Sequence, residues 1–279
     1  MTAGPTCILW MACSDSIGSE LIDMLTTLEI EFLGTGTSTG VPMLRCQCPV
    51  CLSCDPRDQR LRTSAIVRYQ GARILIDCGP DFRTQMLRAS DDNLDAVLLT
   101  HIHYDHVAGL DDLRTYCFDR HFPLYARADV LENLHKRIPY CFATDHPYPG
   151  VAQFEEHVIG DEPFLVEGVH VEPIPVMHYK LPIIGFRIGP LAYITDAKTI
   201  DDNVVESLKE VPLLVINSLR VGQHLSHMCL DETLDIISRV KPGRAYLIHM
   251  SDGMGLHADS PRLLPPGVEL AYDGLIVKV

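Results

Sequence analysis

Aromatic residues are scarce in this 279-residue chain, with one tryptophan and eight phenylalanines. Its core must therefore rest on Leu, Ile, Val and Met, and a 47% apolar content supplies enough of them. Basic residues are also short: 23 Lys and Arg stand against 37 Asp and Glu, a formal charge of −14. So acidic a surface repels phosphate backbones and argues against an extended nucleic-acid-binding face. It leaves room for a small phosphorylated substrate, because bound cations would invert the local sign. No apolar run approaches the ~20 residues that span a bilayer, so no membrane segment is expected. The stretch Ile8-Leu9-Trp10-Met11-Ala12 is short and follows no basic residue, which argues against a secretory signal. Cytoplasmic residence is the default expectation. Linkers, repeats and low-complexity tracts are absent as well.

Residues 1–28 contain no Lys or Arg, and regular patterning begins only with Leu28-Glu29-Ile30-Glu31-Phe32-Leu33. They read as a poorly anchored extension, with a helix over 19–27 as the alternative; residues 29–279 read as a single domain. Apolar runs bounded by Gly, Pro or Asp predict strands over 29–33, 64–69, 73–77, 95–100, 122–125, 164–167, 169–174, 183–188, 191–195, 212–216, 244–248, 268–271 and 274–278. Helices are predicted over 81–89, 128–138, 200–208 and 230–239, the last opening on Asp231-Glu232 and stopped by Lys241-Pro242-Gly243. Two β-rich halves around a central helical segment suit an α/β fold, an αββα sandwich with two packed mixed sheets inside and helices outside.

One segment carries most of the chemistry. An apolar strand, Asp95 to Thr100, runs straight into His101-Ile102-His103-Tyr104-Asp105-His106. On extended chain, alternation points His101 and His103 to one side, and Asp105 and His106 follow at the turn. Each imidazole needs partners for two nitrogens, so so dense a cluster is costly to bury without a cation. The spacing H-x-H-x-D-H therefore points to metal ligation. Cys46, Cys48, Cys51 and Cys54 form a second dense cluster. In a chain of this size that spacing reads as metal binding in a reducing compartment, with free thiols or a local disulfide as the alternative.

The His101–His106 segment resembles the signature of the metallo-β-lactamase superfamily. The resemblance implies further ligands at strand ends: His178, Asp196 and His249. It also implies that Asp77, in Ile76-Asp77-Cys78-Gly79, orients a ligand histidine. By that resemblance His101, His103, His178 and Asp196 would hold one ion, and Asp105, His106, Asp196 and His249 the other. Mixed imidazole and carboxylate ligation suits Zn2+ or Mn2+.

Gly34-Thr35-Gly36-Thr37-Ser38-Thr39-Gly40-Val41-Pro42, followed by Cys46-Gln47-Cys48-Pro49-Val50-Cys51, resembles the PhnP-type branch of that superfamily, as does the ending Ala271-Tyr272-Asp273-Gly274. In that branch three cysteines and a downstream histidine hold a structural zinc. Here the position three residues after His249 is Asp252. Cys46, Cys48 and Cys51 are thus expected to be joined by Asp252, with Cys54 and then His257 as alternatives. The Gly/Thr loop lacks the Gly-Lys-Ser/Thr ending of a phosphate-binding loop and reads as a tight turn beside the site.

In Gln223-His224-Leu225-Ser226-His227, His227 matches the branch's active-site histidine that is not a ligand, with His224 as a possible assistant. Asp105 and His227 are the candidate catalytic groups. The resemblance implies hydrolysis of a small or cyclic phosphodiester by a hydroxide shared between two ions, with His227 serving the departing oxygen. A tRNA 3′-processing nuclease would need a basic arm that this chain lacks. An acyl hydrolase of the lactamase or thioesterase kind fits the ligands but not the cysteine loop, and an accessory protein resembling PqqB would be expected to lack ligands. Family members often dimerise, so a homodimer is a further expectation. Arg57, Arg60 and Arg62 read as a solvated loop making ion pairs, with substrate phosphate as the alternative partner. Asp91-Asp92 and Asp111-Asp112 read as exposed charge or helix starts, while His146 and His157 stay unassigned.

Overall fold

A computed structural model describes residues 27–91, 93–143 and 149–279. Residues 1–26 of the expected extension lie outside the described residues, as do Asp92 and His146. Leu28, counted with that extension, is fully buried and exchanges backbone hydrogen bonds with Val279 at 3.0 and 2.9 Å. The packed chain therefore reaches at least one residue further back than the expected boundary at residue 29.

Among the described residues, fourteen strands form two sheets of seven. The first runs, edge to edge, β14 (Ile276–Lys278), β1 (Glu29–Gly34), β2 (Ser64–Tyr69), β3 (Ala72–Ile76), β4 (Ala96–Leu98), β5 (Phe122–Ala126) and β6 (Phe154–Val158). The second runs β13 (Val268–Leu270), β12 (Arg244–Ile248), β11 (Leu213–Asn217), β10 (Leu191–Ile194), β9 (Leu181–Ile188), β8 (Val169–His178) and β7 (Phe164–Val166). Each sheet has the same plan. Three antiparallel pairings are followed by three parallel ones that need crossovers.

Both faces of the central strands are apolar because both are covered. Along β11, Leu213 and Val215 pack between the sheets with Ile74, Ile76 and Phe186, while Leu214 and Ile216 face helices. Those helices are α4 (Asp202–Ser207) and α5 (Leu230–Val240), which present Val204, Val205, Ile236 and Ile237. On the other side α1 (Phe82–Met86) and α3 (Ala128–Arg137) cover β2 to β5 with Phe82, Met86, Val130, Leu131 and Leu134. Two further short helices are α2 (Tyr104–Val107) and α6 (Ser260–Leu263). Burying each of the larger side chains, such as Phe32 or Phe186, contributes about 1.5–3 kcal/mol. The architecture is the expected αββα sandwich.

Sequence patterning missed β6, whose Phe154-Glu155-Glu156-His157-Val158 has little strand character and sits at a sheet edge. It also ended β8 at residue 174, where Pro173 and Pro175 argue against a continuing strand. The strand in fact runs on to His178. Its partner β7 stops opposite Val171, so the prolines occupy a stretch whose β7 side is open. The start of α5 is fixed by Glu232, whose carboxylate accepts the Cys229 N–H at 2.8 Å, and its end by Lys241 in a left-handed turn. No helix among the described residues is long and apolar enough to cross a membrane.

Candidate metal centre

The expected ligands sit at strand ends drawn from both sheets. Asp77 follows β3, His101 and His103 lie just beyond β4, His178 closes β8, Asp196 follows β10 and His249 follows β12. Asp105 and His106 lie on α2, in the first turn after His103. Asp77, Asp196 and His249 all have left-handed backbone, with φ of 60°, 57° and 55°. Such a conformation costs a non-glycine residue on the order of 1–2 kcal/mol, and here it falls on three site residues at once. The loop after β3 lies directly against the histidine segment: Cys78 N–H donates to the His106 carbonyl at 2.7 Å, and Gly109 N–H to the Cys78 carbonyl at 2.8 Å. A Cβ at Gly79 would collide with the Asp105 carbonyl, and one at Gly109 with the Gly79 carbonyl. Glycine is required at both positions for this approach.

Ligand atoms of Asp105, His106, Asp196 and His249 all lie within 4.8 Å of one another, and all four residues are buried. His106 Nε2 is 3.3 Å from both Asp105 Oδ2 and Asp196 Oδ1; His249 Nε2 is 3.5 Å from Asp105 Oδ2 and 3.2 Å from Asp196 Oδ1. A tetrahedron of ligands at ~2.0–2.2 Å from a cation has edges of about 3.4 Å, which these separations match. Nε2 of His101, His106 and His249 is buried without a hydrogen-bond partner among the described residues. Each such orphan costs about 1–3 kcal/mol, which a cation would offset. His101, His103 and Asp196 form a second group of ligand atoms, with His101 Nε2 3.8 Å from Asp196 Oδ2. His178 stands beside His103, ring centroids 5.0 Å apart, and groups with Asp196 and His227.

The surroundings orient these rings. Asp77 is fully buried; its Oδ2 lies 2.7 Å from His106 Nδ1, and it accepts from Thr100 N–H and Oγ1 at 2.8 Å. This leaves His106 Nε2 facing the site; the family resemblance implied that Asp77 orients a ligand histidine. His178 Nδ1 donates to the Ser226 carbonyl at 2.8 Å, which frees its Nε2 likewise. Burial pushes Asp77 up, against the pull of His106. Burial would also raise Asp105 and Asp196, yet neighbouring histidines hold both below the usual carboxylate range. Burial lowers His101, whereas Asp196, Asp77 and Asp105 overcome it at His106 and raise that ring well above its usual value. Negative charge is thus concentrated where a cation would be held.

Known proteins carry the same frame. Residues 72–250 match the model of the beta-lactamase superfamily domain. The chain belongs to the metallo-β-lactamase superfamily. Within this family of hydrolases it falls in the PhnP-type branch. It is 38% identical to a solved structure described as a new diphosphatase from the PhnP family, with a TM-score of 0.85 over 92% of this chain and 98% of that one. It shares 20% identity with Zn2+-bound PqqB from Methylobacterium extorquens, at a TM-score of 0.71 over 89% and 99% of the two chains, which speaks to fold alone. An octanoyltransferase of Porphyromonas gingivalis is 47% identical over 246 residues, 87% of this chain; the chain spans 50% of that protein's length. Membership of the metallo-β-lactamase superfamily implies divalent metals, and the donor set above fits them.

In this metallo-β-lactamase chain the cysteine loop closes on the remote carboxylate. Cys46 Sγ and Cys48 Sγ lie 3.4 and 3.3 Å from Asp252 Oδ2, and Cys51 completes a group within 4.8 Å. Zinc bonded to sulfur at about 2.3 Å and to oxygen at about 2.0 Å would set them about 3.5 Å apart. Burial pushes the Cys51 thiol up to about 12, against a hydrogen bond from Met43 N–H. Of the alternatives, Cys54 is exposed and outside the cluster, and His257 Nδ1 lies instead 3.4 Å from Arg60 Nη2.

Arg60 departs from the solvated-loop expectation. It is buried and donates to Thr35 Oγ1 and the Ala271 carbonyl at 2.8 and 2.6 Å. Arg57 pairs with Asp55, and Arg62 with Asp81, as ion pairs. The Gly/Thr loop does border the site, since Thr37 N–H donates to the carbonyl of Met250, next to His249. Sequence reading missed Asn217. It is fully buried at the end of β11 and clamps the residue after Asp196, accepting from Ala197 N–H at 2.8 Å and donating to its carbonyl at 2.9 Å. A lone Asn closing the apolar run Leu213-Leu214-Val215-Ile216 was the available signal.

Proposed function

We propose that this chain hydrolyses small or cyclic phosphodiesters with two divalent cations, Zn2+ or Mn2+. One would be held by His101, His103, His178 and Asp196, the other by Asp105, His106, Asp196 and His249. The observation that carries the reading is the two-faced carboxylate of Asp196. Its Oδ1 lies 3.2 and 3.3 Å from His249 and His106, while its Oδ2 lies 3.8 Å from His101. When bound, such a pair of ions activates water and offsets charge building on the phosphoryl oxygens. Asp105, whose Oδ2 lies 3.3 Å from His106 Nε2 and 3.5 Å from His249 Nε2, would help to orient the attacking water. His227 directs Nε2 toward Asp196 Oδ2 at 3.2 Å and is the group able to donate to the departing oxygen. Cys46, Cys48, Cys51 and Asp252 would hold a structural zinc that ties the cysteine loop to the end of β12.

Likeness to the PhnP-family diphosphatase along nearly its whole length supports phosphoester chemistry. The charge of −14 speaks against a nuclease that grips tRNA, and the full ligand set speaks against an accessory role of the PqqB kind. A second reading, acyl hydrolysis, is favoured by the relative named octanoyltransferase, although that protein is twice as long as the shared region. The two separate on one panel: bis-p-nitrophenyl phosphate, a 2′,3′-cyclic nucleotide, a nucleoside diphosphate ester, nitrocefin and an octanoyl thioester, each with Zn2+ or Mn2+. Turnover of the phosphoesters is expected. Turnover confined to nitrocefin or the thioester overturns the phosphodiesterase reading in favour of the second.

A further inference from the structure

Two histidines three residues apart precede α5, and one stands behind the other. His227 turns Nε2 to Asp196, while its Nδ1 lies 3.3 Å from Nδ1 of His224. Two ring nitrogens at that distance need a single proton between them. The backbone of Ser226 points to the owner: its N–H makes a long bond, 3.4 Å, to His224 Nδ1, so that nitrogen carries a lone pair, which His227 Nδ1–H shares in a three-centre arrangement. The proton therefore sits on His227 Nδ1. Ser226 Oγ closes the triangle, 3.1 Å from His227 Nδ1 and 3.4 Å from His224 Nδ1. Burial, then the charges of His227, Arg220 and Lys198, push His224 below the usual histidine range, in keeping with a neutral acceptor. The segment is itself anchored. Lys198 Nζ donates to the His224 carbonyl at 2.8 Å and to the Glu232 carboxylate at 2.6 Å, and Met228 N–H donates to the Ala197 carbonyl at 3.0 Å.

We infer that His224 is a positioning residue: its Nδ1 accepts a hydrogen bond from His227 Nδ1–H and so keeps the opposite edge of that ring, which must carry its own Nε2–H to serve the departing oxygen, turned into the metal bay. The inference rests on the proposed role of His227 toward the departing oxygen. A ring free to rotate would place Nε2 away from that oxygen for much of the time, and misplacement of about 1 Å costs on the order of 10²-fold in rate.

The test uses His224→Leu, which fills the space without accepting, and His224→Asn, whose Oδ1 can take the place of Nδ1. The leucine variant should lose about ten- to a hundred-fold in kcat, with KM and metal content unchanged. The loss should be larger for a phenyl than for a p-nitrophenyl leaving group. The asparagine variant should recover most of the rate. In a His227→Ala background, His224→Leu should cost nothing more. On the metal-free protein, NMR should show a protected His227 Nδ1–H signal in the wild type and the asparagine variant, and lose it in the leucine variant. An unchanged signal in the leucine variant, or an equal loss of rate with His227 already removed, overturns the inference. If His227→Ala is itself harmless, the reading of His227 fails, and the NMR signal alone decides whether His224 holds the ring.

Discussion

The two groups of metal-fitting residues are assembled in opposite ways. The cysteine cluster takes three donors from six consecutive residues, and only Asp252 comes from afar. The histidine and carboxylate centre gathers its donors from residues 101 to 249, off strand ends of both sheets. Short loops close at little entropic cost, so three of the first cluster's four donors need hardly any fold to come together. The second exists only once both sheets are packed, and it depends on left-handed turns and on glycines that admit the crossing chain. The first can act as a staple. The second offers open chemistry, and its donors are meshed with the core. Asp252 stands only three positions after His249, so the two regions share one strand end.

The substitution expected to break this contrast most severely is Asp196→Ala. It should abolish turnover and empty both proposed cation positions, read by metal analysis of the purified chain, while zinc on the cysteines stays. His227→Ala comes next: kcat should fall by about 10²–10⁴-fold with metal content intact, measured by steady-state kinetics. Asp77→Asn should weaken metal affinity by about 10–100-fold through misorientation of His106, and excess metal in the assay should restore the rate. Cys51→Ser should remove one zinc equivalent per chain and lower Tm by several degrees in a thermal melt, with kcat changed only a few-fold. A catalytic collapse in Cys51→Ser would show that the shared strand end makes the two regions one. Smallest of all, Arg57→Ala should leave both Tm and kcat unaltered, because its pairing with Asp55 lies at the exposed surface.

The parts of this picture that periodicity or tight spacing encodes were readable from the chain itself. Strands such as β11 and β12 are unbroken apolar runs, and His101 to His106 packs four donors into one segment. His178, Asp196, His249 and Asp77 were found only through resemblance to a family, because a single histidine or aspartate after a strand has no spacing to betray it. β6 was lost because an edge strand buries too little to need an apolar sequence. The far end of β8 was lost because two prolines mimic a stop where an unpaired edge tolerates them. The exchange between His224 and His227, and the clamp by Asn217, depend on which backbone groups face them. No linear pattern carries that information.

Asp77, Asp196 and His249 hold backbone angles that glycine would adopt more readily. Relief of that strain goes together with loss of a proposed ligand, or of the carboxylate that orients one. Screening variants of this protein for heat resistance alone, with metal scarce, would therefore tend to enrich inert chains. A silent copy, freed from the need to grip cations, has room to drift toward durability that a working one does not.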